Sequence, residues 1–179
     1  FDNSWIAEAA ARLKAGGCDQ IALLTLQGNP TNWESPELVS FEEQYRKLIA
    51  ADPQTFRKKL LKQSAPSPRG GYEAACALLR ENPRRKKLGI ISCDELLTHG
   101  VISAVLQNRS VLWKEVAIIS HGNAGSPIAD FSIPVITYES DVRLECDRIF
   151  ELMERYLTDR NRPSGIAVLP VACRHIEAE

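Results

Sequence analysis

The sequence predicts an α/β fold: a mostly parallel, open sheet with helices on both faces, in one domain over residues 1–179. Two observations carry that expectation. Short apolar runs of strand length alternate with longer segments whose apolar residues recur every three or four positions, which is the signature of repeated β-α-β units. The strand runs are apolar almost throughout, the pattern of strands covered on both sides.

Each element follows from its local pattern. Ile6, Ala9, Ala10 and Leu13 share one face of a helix over 3–16, which Gly16-Gly17 ends. Gln20-Ile21-Ala22-Leu23-Leu24-Thr25 is a buried strand, and a loop rich in Gly, Asn and Pro follows over 27–36. A helix over 36–51 has Leu38, Phe41, Tyr45, Leu48 and Ile49 as its stripe. A strand over 59–63 is built on Leu60-Leu61, and after Pro66-Ser67-Pro68 a helix over 69–81 buries Tyr72, Cys76 and Leu79. Leu88-Gly89-Ile90-Ile91 is a strand that stops at Ser92-Cys93-Asp94. A helix begins at once, with Leu96, Leu97, Val101, Ala104 and Val105 at helical spacing. Strands over 116–120 and 134–138 and a helix over 140–157 come next. A last strand over 165–173 contains Pro170, which suits an edge position.

The bulk numbers exclude several classes. A net charge of −1 provides no field to recruit nucleic acid or an acidic membrane, and Arg84-Arg85-Lys86-Lys87 reads as a solvated loop. No stretch approaches the roughly 18 apolar residues of a membrane span. The first residues lack the basic leader and apolar core of a secretory signal. Five cysteines, at 18, 76, 93, 146 and 173, are an odd number without C-x-x-C spacing. That pattern fits reduced thiols in a cytoplasmic protein better than disulfides or zinc. The sequon Asn108-Arg109-Ser110 then carries little weight.

Right-handed crossovers place every β-to-α loop at one end of the sheet, and ligands of such sheets bind outside the carboxyl ends of the strands. The candidate ligand-binding residues therefore sit there: Asn29 and Asn32 after the first strand, Cys93 and Asp94 after 88–91, His121 and Asn123 after 116–120. Asp94 has two readings. As a helix N-cap it is worth about 1 kcal/mol. As an ionised carboxylate facing a ligand it accepts O–H or N–H groups. Cys93 with His121 would permit a thiolate–imidazole pair, although buried cysteine is ordinarily inert packing. No G-x-S-x-G elbow, phosphate-binding glycine loop or H-E-x-x-H motif is present. His99 and His175 read as surface residues, so the expectation is no catalytic residue, no metal and no cofactor.

The order of these segments resembles the effector-binding region of the lac-repressor/gal-repressor family of bacterial transcription regulators. The opening FDNSWIAEAAARLKAGGCDQIALLT is similar to that family's entry into its C-terminal subdomain. PRGGYEAACALLRENP, IISCDELLTHGVISAVLQN, VLWKEVAIISHGN, PVITYESDVRLECDRIFELMERYL and LPVACRHIE then resemble its later motifs in the right sequence. The resemblance implies a type-1 periplasmic-binding-protein fold, with Asp94 at the family's acidic ligand position. It also implies a cut: 1–133 and 160–179 form the C-terminal effector-binding subdomain, while the strand and helix of 134–159 would pack on an absent N-terminal subdomain. Three positions depart from the pattern. Glu37 stands where the family has a ligand-clamping Arg, Cys93 replaces an Asn, and Gly122 stands where an acid is common.

The expected function is therefore the ligand-sensing part of a LacI-type regulator, not an enzyme. It would bind a sugar or related polar metabolite in an interlobe cleft and form a homodimer. Operator DNA would be reached only through an N-terminal domain absent from this chain. The alternative is a periplasmic sugar-binding protein of a transport system.

Overall fold

The computed structural model describes residues 5–26, 41–58, 61–63, 65–82, 86–108, 115–126, 131–159 and 172–176. Within them the chain forms α1 (Trp5–Ala15), β1 (Gln20–Leu26), α2 (Phe41–Ala51), β2 (Leu61–Gln63), α3 (Pro68–Arg80) and β3 (Leu88–Ser92). It continues as α4 (Glu95–Gln107), β4 (Val116–Asn123), β5 (Val135–Ser140), α5 (Val142–Asp159) and β6 (Ala172–Ile176). The strands make one sheet in the order β2-β1-β3-β4-β5-β6. The first five run parallel, and β6 closes the edge antiparallel to β5.

Strand alternation divides the core into two layers. Ala22 and Leu24 of β1, Leu88 and Ile90 of β3, Ile118 of β4 and Val135 of β5 face α3 and α4. Ile21 and Leu23, Ile91, Ile119 and Tyr138 face α1 and α2. The chain leaves β1 toward one side of the sheet and β3 toward the other, so the switch in winding falls between these neighbours. A crevice opens at their carboxyl ends. The fold class expected from the sequence is the one observed.

Two glycines allow helices α3 and α4 to touch. A Cβ on Gly71 would lie 2.0 Å from the Leu97 carbonyl oxygen, and one on Gly100 would lie 1.9 Å from the Pro68 carbonyl oxygen. Gly71 and Gly100 thus serve the packing of the two helices. On the opposite face, Tyr45 is fully buried and donates its hydroxyl to the Ile21 carbonyl at 2.7 Å. Burial raises its pKa, so it stays a neutral donor.

Three departures from the expected elements matter. Strand β4 runs on to Asn123, so His121 and Asn123 belong to a strand end and not to a following loop. The strand of 134–138 is bound into this sheet, paired with β4 on one side and β6 on the other, with Val135 and Tyr138 buried. The division expected at 134 is corrected to that extent: a short apolar run carries no mark of which sheet it joins. The helix half of that segment is different. Helix α5 buries none of its large apolar residues, leaving Ile149, Phe150, Met153, Tyr156 and Leu157 between 49% and 73% exposed.

The 27–36 loop, Pro170 and most of the last expected strand lie outside the described residues. Cys18, Cys76, Cys93 and Cys146 are free thiols. No helix among the described residues is long and apolar enough to cross a membrane.

The α3–α4 contact yields a direct test. Gly100→Ala should cost about 2–3 kcal/mol of unfolding free energy, because one helix backbone must retreat from the other. Urea titration with an unchanged m-value measures this.

Candidate functional site

The carboxyl rim is built where helix N-termini meet strand ends. Ser92 is the last residue of β3, and Cys93 extends the ladder by donating its backbone N–H to the Leu24 carbonyl at 3.0 Å. Asp94 then turns the chain in an extended conformation, φ −159° and ψ 143°, and caps α4. Its Oδ1 accepts from the backbone N–H groups of Leu96 at 2.8 Å and Leu97 at 3.2 Å. The capping reading of Asp94 is therefore realised. Both bonds fall on one oxygen of a half-buried carboxylate.

An aromatic cluster lies beside it on the α1/α2 face. Trp5 is the central ring, 3% exposed at the start of α1. His121 stacks on it at 5.4 Å between centroids, with 19° between planes. Tyr138, opposite His121 in the sheet register, is 5.2 Å from Trp5, and Phe41 at the start of α2 meets Trp5 edge-on at 5.6 Å. Trp5 and Tyr138 are buried, whereas His121 and Phe41 are half-buried. Trp5 Nε1 is a buried donor that finds no acceptor among the described residues.

His121 Nε2 lies 3.1 Å from the Ser140 hydroxyl. Burial lowers the His121 pKa, opposed by the Glu95 and Asp94 carboxylates. Cys93, 8% exposed, has its thiol pushed up to about 12 by burial, with a Thr25 hydrogen bond working against the rise and the Asp94 charge adding to it. Both shifts run against a thiolate–imidazolium pair. At neutral pH the two groups are a thiol and a neutral imidazole.

The structure thus gathers Cys93, Asp94, His121 and Asn123 on one rim. Asn29, Asn32 and Glu37 lie outside the described residues. Sequence reasoning missed Glu95, Trp5, Tyr138 and Ser140. Glu95, 8% exposed, accepts the Asn123 backbone N–H on Oε1 and the Ser126 hydroxyl on Oε2 at 2.6 Å. Ser92-Cys93-Asp94-Glu95 has the spacing of a capping box, but the N-cap is Asp94 and its N3 residue is Leu97, so that rhythm pointed to a local cap and not to the contacts Glu95 makes. Among the described residues, no group of three or more His, Cys, Asp or Glu is gathered to hold a metal.

Residues 10–175 match the model of the periplasmic binding protein-like domain. No curated protein sequence matches the chain. Among solved structures it is similar to a LacI family transcriptional regulator from Arthrobacter sp. FB24 in complex with lactose. The TM-score is 0.77 at 20% identity, over 99% of this chain and 64% of that one. A LacI family regulator from Lactobacillus casei with bound sucrose gives 0.74 at 14% identity, over 99% and 63%. The lac repressor dimer bound to operator and the anti-inducer ONPF gives 0.73 at 15%, over 99% and 59%. At these identities the likeness is one of fold. The chain spans about three-fifths of the length of these structures.

The His121 shift has a signed consequence. Its folded pKa lies below the ordinary 6.5, so below that pH the unfolded chain binds the extra proton more readily. The stability contribution is complete above about pH 6.5 and is lost as pH falls through it toward the lower folded value. The Tm of the wild type should therefore drop from about pH 7 to about pH 5 more steeply than that of His121→Gln, as read by calorimetry at each pH.

Proposed function

From the premise that the chain belongs to the periplasmic binding protein-like family, we propose that it is the ligand-sensing part of a LacI-type transcription regulator. The rim would take a small polar molecule such as a sugar. The observation that carries this reading is the half-buried Asp94 carboxylate, with only Oδ1 committed to the helix cap, beside the His121–Trp5 stack. Oδ2 remains for a ligand hydroxyl or amine, which a carboxylate can only accept from. His121 and Phe41 offer ring surface to the apolar side of a sugar, and Trp5 and Tyr138 support them from beneath. The lactose and sucrose held by relatives of this fold support the same ligand class.

The role is binding and not catalysis, in keeping with Cys93 being held as a thiol by its burial. The exposed apolar face of α5 packs on a second lobe, which closes over the rim when ligand is bound. Closure favours one state of a homodimer, and operator contact belongs to a DNA-binding domain outside these 179 residues. Such a regulator works in the cytoplasm, where the free thiols stay reduced.

Asn caps helices as well as Asp does but carries no charge, so Asp94→Asn separates the two roles. Thermal-shift screening of the full-length protein against lactose, sucrose, monosaccharides, polyols and nucleobases should find a stabilising ligand. Asp94→Asn should weaken that ligand at least about tenfold by calorimetric titration while leaving the apo Tm nearly unchanged. Unaltered affinity would return Asp94 to capping alone, and the absence of any stabilising compound would overturn the sensor reading.

A further inference from the structure

We infer that Glu95 is a positioning residue, a latch that fixes the His121–Ser126 stretch of the rim against the first turn of α4. The inference deepens the ligand-binding reading above and rests on it for its effect on affinity. The geometry itself stands without a ligand.

Glu95 opens α4 directly after Asp94, yet its side chain crosses to the neighbouring strand. Both carboxylate oxygens are used: Oε1 accepts the Asn123 backbone N–H and Oε2 the Ser126 hydroxyl. These are the two ends of the turn after β4, closed by the Ser126 N–H bonding the Asn123 carbonyl at 3.1 Å and by Gly125 at φ 73°. The other side of the turn is held from β5, where the Ser140 carbonyl accepts the Ala124 N–H at 2.9 Å. Ser140 also contacts His121 Nε2 through its hydroxyl. The turn that follows His121 is therefore braced from α4 on one side and β5 on the other.

Gly122 is the counterpart of this latch. A Cβ there would lie 2.4 Å from Glu95 Oε1, 2.5 Å from Cγ and 2.7 Å from Cδ. The glutamate side chain occupies the space any larger residue at 122 would need. Gly122 has an ordinary backbone conformation, so what excludes larger residues there is Glu95 and not strain. A charge-assisted pair of hydrogen bonds in an enclosed site is stronger than a surface contact. Losing it removes the brace from α4 and leaves the turn held from β5 alone, which loosens the placement of His121 relative to Asp94. A ligand that touches both groups depends on that distance.

Hydrogen exchange read by mass spectrometry on the full-length protein, with peptides covering 120–127 and 88–93, tests the latch directly. In Glu95→Ala, exchange in the 120–127 peptide should rise at least about tenfold while the 88–93 peptide is unchanged. Glu95→Gln should stay near wild type, because its carbonyl still accepts from Asn123 and its amide donates to the Ser126 oxygen. Gly122→Ala should displace the carboxylate and reproduce the local rise, and the Glu95→Ala/Gly122→Ala pair should exchange no faster than Glu95→Ala alone. Affinity for lactose and sucrose, whichever the wild type binds, should fall in Glu95→Ala and Gly122→Ala and be restored in Glu95→Gln. Wild-type exchange in Glu95→Ala overturns the latch whatever the ligand result. A local rise with unaltered affinity reduces Glu95 to a structural brace and overturns the positioning claim. Should the wild type bind neither sugar, these two disaccharides are excluded as ligands while the exchange data alone decide the latch.

Discussion

A parallel sheet covered on both faces leaves polar side chains one outlet, the ends of its strands. The boundary here is a row in register across three neighbours: Ser92 of β3 beside Ser120 of β4 beside Thr137 of β5. On the side of this row toward the strand starts, the interior positions are apolar. All three are buried; the Ser92 and Ser120 hydroxyls are hydrogen-bonded, whereas Thr137 Oγ1 finds no partner among the described residues. Thr98 of α4 meets Ser120 at 2.7 Å and donates to the Asp94 carbonyl or to Ser120, while Ser92 reaches the same carbonyl at 3.2 Å. The strand ends are thereby tied to the first turn of α4, and the rim inherits its shape from that tie. One step beyond the row come Cys93, His121 and Tyr138, and then Asp94, Gly122 and Glu139.

The elements were legible because burial leaves a periodic trace in the sequence. Helices α1, α3 and α4 and strands β1 and β3 fall within a residue or two of their apolar patterns. What was not legible depends on partners far along the chain. Strand β4 was cut short at Ser120 because its apolar run stops there, yet its backbone pairing with β5 continues to Asn123. No local pattern marked the contacts of Glu95, since its bonds reach residues 28 and 31 positions away. Gly122 read as a lost acid; the structure shows it as the space a neighbouring acid fills. Gly71 and Gly100 likewise acquire their meaning only when α3 and α4 are placed together.

Burial also settles the chemistry of the rim. Cys93 and His121 each follow one member of the registered pair Ser92 and Ser120 on adjacent strands, and a thiol beside an imidazole is the arrangement from which an activated thiol is made. Activation needs an environment that favours charge on both. Enclosure does the reverse, raising the thiol and lowering the imidazole; the Asp94 charge adds to the thiol's rise, and the Glu95 and Asp94 carboxylates only soften the fall of the imidazole. The rim therefore holds a protonated thiol and a neutral imidazole at neutral pH, and not the charged pair an activated thiol requires.

Two aspartates on this rim cap helices through a single carboxylate oxygen. Asp141 accepts the backbone N–H groups of Arg143 and Leu144 on Oδ1, as Asp94 accepts those of Leu96 and Leu97. Each occupies the junction of a strand with the helix that follows, where an acid satisfies orphaned donors and opposes the helix dipole. Local geometry does not separate them. Surroundings do: Asp141 is exposed and leads into α5, whereas Asp94 is half-buried between two strand ends and within electrostatic reach of His121. A cap bond fixes one oxygen and with it the plane of the carboxylate, so the second oxygen points in a defined direction at little further entropic cost. In Asp94 that second oxygen belongs to a half-buried side chain, whereas in Asp141 it belongs to an exposed one.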